Sequence, residues 1–357
     1  MHFENVFGRQ WFPPKCQIGL TDSALELEVL LRNRKFTNAI NLSIKCLSYE
    51  DEARDFHYRS FWKRQIKRSL RLSSRNPSQS SILIRYLGFW PGFDENNNEI
   101  HNLMSEASSC LGLNLHVTNA KADIEVHSIF DSIQHSVDDG ATKVLYLGEN
   151  VRPHYMNVDY SLSFDIHSYN RKNIYTPLWI LRSTDFGVAN GYKPYDPKSL
   201  SDLRPPRTGK GICYIGNNET PLRQSLIRIL RSNGFSVDCF GSHTNQVADK
   251  IEKLSQYQYS ICFENSYTPG YVTEKLIDGY VSGTIPIYSG GIDASIFNTM
   301  SFINLDPFCD LGSDLIGKIE HGQDSYRSQS LMPYDRYLVL RADLIASIVN
   351  TIFSFYR

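Results

Sequence analysis

The chain has 357 residues, of which 41% are hydrophobic and 21% charged, and its formal net charge at pH 7 is −1. This length is too great for one ordinary core and allows two domains of roughly 120 to 150 residues with an extension. The near-neutral charge argues against broad nucleic-acid binding, which needs a concentrated basic face. The seven cysteines form no C-x-x-C pair, so neither a disulfide framework nor a zinc site is predicted.

Residues 1–78 are predicted to form a helical extension that weakly resembles a tetratricopeptide unit. Apolar residues recur at helical spacing over 24–47, and a second helical stretch over 51–72 ends strongly basic. The run 63–75 holds six Lys or Arg residues and is interpreted as a solvated face, with peripheral contact to an anionic membrane as the alternative. Binding of a protein partner, or self-association, through these helices is also left open.

Two α/β domains are predicted to follow. Residues 79–190 alternate short apolar runs with a helix, and residues 207–335 repeat a regular alternation of strand and helix. Such alternation is typical of a doubly wound, mostly parallel sheet. A stretch rich in Pro, Gly and charge at 190–211 is interpreted as the linker, and 336–357 as a terminal helix. No signal sequence or membrane-spanning run is evident, which predicts a cytoplasmic protein of bacterial type.

The stretch "FENSYTPGYVTEKL" (263–276) joins a predicted strand to a predicted helix. Ligands of open α/β sheets bind beyond the carboxyl ends of the strands, where this stretch lies. A helix that begins near Thr273 offers N–H groups and its positive dipole end to an anion, and Lys275 adds a full charge. Glu274 would repel phosphate but suits the hydroxyls of a sugar. Alternatively, Glu274 only complements the helix dipole and Lys275 is solvated.

A second basic residue is predicted at another helix start. Thr220 suits the N-cap and Pro221 the first helical position, which places Arg223 in the first turn, where its guanidinium can bind phosphate. An exposed helix arginine is an equally good interpretation. The chain lacks the P-loop motif and the G-x-G-x-x-G motif. Two basic helix starts with sugar-binding groups between them favour a nucleotide diphosphate-sugar ligand.

The first α/β domain offers a candidate base and candidate sugar contacts. Glu149 directly follows the strand "KVLYLG", where desolvation would make it a general base; capping of the next segment is the alternative. Asp165 and Arg171 either line the same cleft or bond locally. Trp90 and Phe93 either stack on a sugar face or pack a turn.

Two long motifs carry a family resemblance. "CFENSYTPGYVTEKLIDGYVSGTIPIYSG" and "LGENVRPHYMNVDYSLSFD" resemble the α1,3/1,4-fucosyltransferases, glycosyltransferase family 10, and the resemblance covers roughly residues 82 to 306. It implies a GT-B fold, in which two Rossmann-like α/β domains face a cleft, the second binding GDP-fucose and the first receiving the acceptor. It also implies an inverting enzyme that moves L-fucose to O3 or O4 of GlcNAc or glucose in an acceptor glycan, without cofactor or metal.

The same resemblance implies roles for single residues. Glu149 would be the base, and Arg223 and Lys275 would neutralise the pyrophosphate. The nucleotide and the fucose would be held by Asn265, Tyr271 and Glu274. Ser289 stands where relatives often have tryptophan, which leaves the shape of the donor loop open. Two alternatives remain: a related transferase that uses another GDP-sugar such as GDP-mannose, and a non-catalytic glycan- or nucleotide-binding module. Linkage, α1,3 or α1,4, also stays open.

Overall fold

The computed structural model describes two compact units. The residues it describes are 16–53, 59–130, 140–153, 155, 157–169, 171–187, 192–205, 210–217, 220–241, 245–305 and 313–356. The first unit comprises Met1–Ser163, His167–Thr176 and Asp343–Arg357, and the second comprises Phe164–Ile166 and Pro177–Ala342. Parts of the predicted linker at 190–211 lie outside the described residues.

Three helices form the amino-terminal extension that the sequence predicts. They are α1 (Cys16–Arg32), α2 (Phe36–Ala53) and α3 (Arg59–Ser74). Apolar side chains on the facing sides, such as Leu27, Leu31 and Phe61, are almost completely buried. The predicted helical extension is therefore confirmed, and its stability comes from these packed faces.

The basic run on α3 is not the solvated face that the sequence analysis expected. Arg64 contacts Asp159 at 2.6 Å, and Arg68 lies 3.1 Å from Glu28 and 3.5 Å from the same aspartate. Gln65 donates a further bond of 2.7 Å to Asp159. These side chains are buried, so the interpretation of the run as solvated is wrong for Arg64 and Arg68.

The carboxyl-terminal end of α3 is also held by internal charge. Arg71 lies 3.2 Å and Arg75 3.6 Å from the carboxylate of Asp123. Only Lys63 and Lys67 of the run's six basic residues are exposed. A solvated helix needs no partners for its arginines, whereas buried arginines need paired carboxylates. The run therefore attaches α3 to the rest of the first unit.

The first unit contains a six-stranded parallel sheet. Its strands are β1 (Ser81–Leu87), β2 (Asn114–Val117), β3 (Ile124–His127), β4 (Thr142–Leu147), β5 (Tyr160–Ser163) and β6 (Asn173–Tyr175), in the order β2-β1-β3-β4-β5-β6. Helix α4 (Glu99–Ser109) begins after Asn98, whose side chain caps it by accepting the N–H of His101 at 2.8 Å. Strands β3, β4 and β5 are buried throughout, as strands of a sheet covered on both faces should be.

The second unit contains a five-stranded parallel sheet. Its strands are β7 (Lys210–Ile215), β8 (Val237–Phe240), β9 (Tyr257–Phe263), β10 (Ile285–Ser289) and β11 (Ile303–Asn304), in the order β11-β10-β9-β7-β8. The helices are α5 (Leu178–Leu181), α6 (Pro221–Ser232), α7 (Lys250–Leu254), α8 (Glu274–Val281), α9 (Ser313–His321) and α10 (Gln323–Arg327). In this order β8 lies on one side of β7, and β9, β10 and β11 lie on the other, so the strand order reverses between β7 and β9. Parallel sheets bind ligands at such a switch point.

The predicted terminal helix is α11 (Tyr334–Thr351), which a short 3₁₀ turn (Phe353–Tyr356) follows. Tyr356 is buried, and its hydroxyl donates to the carbonyl of Asp123 and bonds the hydroxyl of Thr142, both at 2.8 Å. These two bonds attach the 3₁₀ turn to the first sheet. In the part of the chain that the structure describes, no helix is both long and apolar enough to cross a membrane.

Candidate active site

A cavity of about 280 Å³ lies in the second unit at the carboxyl ends of β7 and β9. Among the side chains that line it are four of the five residues predicted to bind the donor: Arg223, Asn265, Glu274 and Lys275. These residues come from two helix starts and from the turn after β9. Parallel topology brings those points to one edge of the sheet, although they are far apart in the sequence.

Arg223 is buried and closes one side of the cavity. Helix α6 begins at Pro221, with Thr220 as the N-cap that accepts the N–H of Arg223 at 3.3 Å. The guanidinium donates to the carbonyl of Phe263 and, at 3.0 Å, to the side-chain oxygen of Asn265. Arg223 is therefore not an exposed helix arginine, and its charge is directed to the end of β9.

Lys275 is held by oxygen atoms on several sides. Its ammonium lies 3.0 Å from the hydroxyl of Thr273, 3.4 Å from the carboxylate of Glu264 and 3.5 Å from that of Glu274. Burial disfavours the charged lysine, but the two carboxylates outweigh burial and raise the pKa of Lys275. The side chain is only 24% exposed. The alternative of a fully solvated lysine is therefore wrong.

Glu274 stays negatively charged at the cavity. Burial disfavours its ionised form, but Lys275 and Lys250 more than compensate and lower the pKa of Glu274 to about 2. An ionised carboxylate with two cationic neighbours can accept hydrogen bonds from hydroxyl groups without repelling the ligand strongly. This geometry agrees with a carboxylate that contacts a sugar.

A third cation, Lys250 of α7, also lines the cavity and was not predicted from the sequence. Its ammonium contacts Asp278 at 2.6 Å, and Asp278 also accepts a hydrogen bond from Tyr192. Burial disfavours the charge of Lys250, but Asp278 and Glu274 raise its pKa. One signal was available: Asp278 lies among the apolar residues of α8, where a buried carboxylate needs a cation.

Tyr271 is not among the residues that line the cavity. It is 2% exposed and packs edge-on against Phe164, with the ring centroids 5.0 Å apart. The turn around it is closed by a 2.8 Å bond from the N–H of Gly270 to the carbonyl of Gly291. A contact between Tyr271 and the donor stays a prediction, and the observed role is to pack this turn.

Replacing Gly291 by Ala should disrupt this turn. A Cβ there would lie 1.7 Å from the carbonyl oxygen of Thr268, and backbone atoms cannot yield that far. We expect the free energy of unfolding to fall by about 1–3 kcal/mol or more, measured by chemical denaturation. Gly317→Ala on α9 is the control, since a Cβ there meets nothing within 4 Å and Ala favours helix. An equally stable Gly291→Ala variant would contradict the close approach.

In the first unit, Glu149 follows β4 and is exposed, so the desolvation that the sequence analysis assumed is not seen. Trp90 and Phe93 belong to an aromatic cluster at the carboxyl edge of the same sheet. Phe93 stacks on Phe89 with centroids 4.1 Å apart, and Trp90 meets Phe130 edge-on at 5.6 Å. The packing interpretation of these two aromatics is thus observed, and their contact with a sugar stays a prediction.

The two remaining candidates differ in burial. Asp165 is completely buried, and residues 164–166 group with the second unit. Arg171 is exposed and has a left-handed backbone with φ of 66°. Within the described ranges, no group of three or more His, Cys, Asp or Glu side chains could hold a metal ion.

Solved structures share this architecture. A crystal structure of an α1,3-fucosyltransferase with GDP matches with a TM-score of 0.54 and 24% identity, and one with GDP-fucose matches with 0.52 and 25%. Each match covers 76% of this chain and 92% of the solved chain. The chain therefore has the two Rossmann-like α/β units of a GT-B glycosyltransferase.

Family models identify the chain more narrowly. Residues 84–182 match the α-(1,3)-fucosyltransferase FucT N-terminal domain, and residues 206–328 match the carboxyl-terminal domain of glycosyltransferase family 10 (fucosyltransferase). The chain belongs to glycosyltransferase family 10. It is 34% identical over 198 residues to the α-(1,3)-fucosyltransferase FucT of Helicobacter pylori, which is 47% of this chain and 41% of that protein. The match thus spans less than half of the curated relative.

Proposed function

We propose that the chain is an inverting fucosyltransferase that moves L-fucose from GDP-fucose to a hydroxyl of an acceptor glycan. The observation that carries this proposal is the cavity of the second unit, which three cations, Arg223, Lys250 and Lys275, line together with the anionic Glu274. Cations suit a diphosphate, and a carboxylate suits sugar hydroxyls. Family membership and a solved relative with GDP-fucose support the same donor.

On the donor side, the protein stabilises the leaving group. Negative charge grows on the diphosphate as the bond between the anomeric carbon and the GDP oxygen breaks. Arg223, Lys275 and the amino-terminal end of α8 would bind this charge more strongly in the transition state than in the ground state. Side chains and the end of this helix supply the positive charge in this scheme, so we propose that the reaction needs no metal ion.

On the acceptor side, we propose Glu149 as the general base. It would take the proton of the acceptor hydroxyl while that oxygen attacks the anomeric carbon on the face opposite GDP, which inverts the configuration. Trp90, Phe93, Asp165 and Arg171 are the proposed contacts to the acceptor, a GlcNAc or glucose residue fucosylated on O3 or O4. A cytoplasmic location and a partner for the amino-terminal helices stay predictions from the sequence.

The direct test is release of GDP from GDP-fucose with and without a lactosamine-type acceptor, in the presence of EDTA. Acceptor-dependent release that EDTA does not reduce is the expected result. A parallel assay with GDP-mannose separates the fucosyltransferase from a transferase for another GDP-sugar. Binding of GDP-fucose without transfer to any acceptor would favour the non-catalytic module, and absence of binding would contradict the donor assignment.

Replacing Lys275 by Met should weaken GDP binding roughly tenfold to a hundredfold, because a charge-assisted contact to the diphosphate is lost. The dissociation constant is measured by isothermal titration calorimetry. Lys318→Met is the matched control, since Lys318 lies on α9, is not among the residues that line the cavity, and pairs with the exposed Asp314 on the same helix at 2.6 Å. An unchanged GDP titration for Lys275→Met would contradict the phosphate role.

A further inference from the structure

A buried carboxylate behind the cavity has no place in the scheme above. Glu264 follows β9, its side chain is completely buried, and it is not among the residues that line the cavity. It accepts the N–H and the hydroxyl of Thr273, each at 2.8 Å, and the hydroxyl of Tyr288 at 3.3 Å. Its fourth contact is with the ammonium of Lys275, at 3.4 Å.

These contacts form a chain that ends at Lys275. Thr273 is the N-cap residue of α8, yet its side chain makes no capping bond to the helix. Instead, its hydroxyl donates to Glu264 and accepts from the ammonium of Lys275 at 3.0 Å. Glu264 therefore restrains Lys275 twice, once through this hydroxyl and once by direct charge attraction.

We infer that Glu264 is a positioning residue that holds the ammonium of Lys275 in place for the diphosphate of the nucleotide donor. The inference rests on the proposed function. An unrestrained lysine samples many rotamers, and ordering it during binding reduces affinity. A buried carboxylate removes this cost before the ligand arrives, and it also favours the charged lysine. Because Glu264 lies outside the cavity lining, its negative charge does not face the phosphate directly.

The charged groups around this pair come from four elements. Lys275 is influenced by Glu264 after β9, by Glu274 on α8 itself, by Lys250 on α7 and by Arg223 on α6. Burial raises the pKa of Glu264, and Lys275 and the two bonds from Thr273 oppose that rise while Glu274 adds to it. Without the charge of Glu264, Lys275 keeps one neighbouring carboxylate, Glu274, and two neighbouring cations, Lys250 and Arg223. The lysine should then lose its proton at lower pH.

The test is the isosteric Glu264→Gln variant, titrated with GDP by calorimetry from about pH 6 to about pH 10. We expect GDP affinity to fall roughly tenfold to a hundredfold near neutral pH, the range for losing a buried contact to a charged group. We also expect the loss of affinity at alkaline pH to begin at lower pH than in the wild type. Both proteins bind the same GDP, so the ionisation of the ligand cancels in the ratio of affinities.

Two controls separate positioning from general stabilisation. Asp185→Asn weakens another paired carboxylate of the second unit, which lies 3.0 Å from Arg341, and should lower the melting temperature without moving the GDP profile. In a Lys275→Met background, Glu264→Gln should reduce GDP affinity no further, because it acts through Lys275. If Glu264→Gln does not fold, Thr273→Val breaks the same chain and should shift the GDP profile in the same direction.

Each outcome decides the inference. The positioning role is supported if Glu264→Gln weakens GDP affinity and makes the alkaline loss of affinity begin at lower pH, and if neither effect is seen when Glu264→Gln is added to Lys275→Met. If the wild type binds GDP and the pH profile of Glu264→Gln or Thr273→Val is identical to the wild-type profile, the positioning role is overturned and the proposed function stays intact. A wild type that does not bind GDP overturns both.

Discussion

Replacing Glu149 by Gln should lower turnover of GDP-fucose by roughly two to four orders of magnitude, the range for a lost general base. The amide keeps the shape of the side chain but cannot take the proton of the acceptor hydroxyl. The expected loss is in kcat, because Glu149 belongs to the first unit and the residues that line the proposed donor cavity belong to the second. GDP affinity, measured by calorimetry, should stay within about twofold of the wild type.

The control for this variant is Glu26→Gln, which makes the same change at an exposed position on α1. Its turnover should equal that of the wild type. Full turnover by Glu149→Gln would remove the base assignment. Loss of GDP binding together with turnover would instead point to a structural or donor-binding role for Glu149.

Replacing Asp159 by Asn should destabilise the protein by about 3 kcal/mol or more. Asp159 is completely buried and accepts bonds from Arg64 at 2.6 Å and Gln65 at 2.7 Å, with Arg68 at 3.5 Å. An amide at this position leaves the Arg64 guanidinium buried without a carboxylate. The free energy of unfolding is measured by chemical denaturation, and Asp314→Asn is the control. Asp314 is 72% exposed in its pair with Lys318, so its loss should cost at most about 0.5 kcal/mol.

The effect of Asp159 should also depend on pH. Burial disfavours the ionised carboxylate, but Arg64, Arg68 and the N–H of Lys143 outweigh burial and hold the pKa of Asp159 well below its usual range. A depressed folded-state pKa stabilises the protein above the unfolded-state pKa, near 4, and this stabilisation is lost as pH falls toward the folded-state value. The difference in the free energy of unfolding between the wild type and Asp159→Asn should therefore become smaller below about pH 4. A constant difference down to strongly acidic pH would contradict the ion-pair explanation.

These two predictions differ in how far the sequence alone supports them. Glu149 was found from a motif and from its place after a strand, and both are local features. Asp159 was not singled out at all. Its importance depends on Arg64 and Arg68, which come from a helix about 90 residues earlier in the sequence. The sequence wrongly predicts a solvated basic run on α3 for the same reason: helical spacing shows which residues share a face but not what that face packs against.

The cavity of the second unit shows the same division. The sequence predicts Arg223 and Lys275 because basic residues at helix starts beside parallel strands follow a general rule. It predicts Glu274 as a partner for sugar hydroxyls, and Asn265 only through the family resemblance. Lys250 and Glu264 were missed, since their roles depend on contacts with Asp278 and Lys275 that only folding creates. Tyr271 packs on Phe164, a contact that only the fold reveals, and its contact with the donor stays a prediction.

By itself, the sequence determined the family, the two α/β units and the helical extension, because alternating apolar runs, helix starts and long motifs are local patterns. The tertiary structure alone decided which charges are buried, which carboxylate restrains Lys275 and what the arginines of α3 bind. The physical reason is that a charge's environment depends on every element packed around it, and those elements are distant in the sequence.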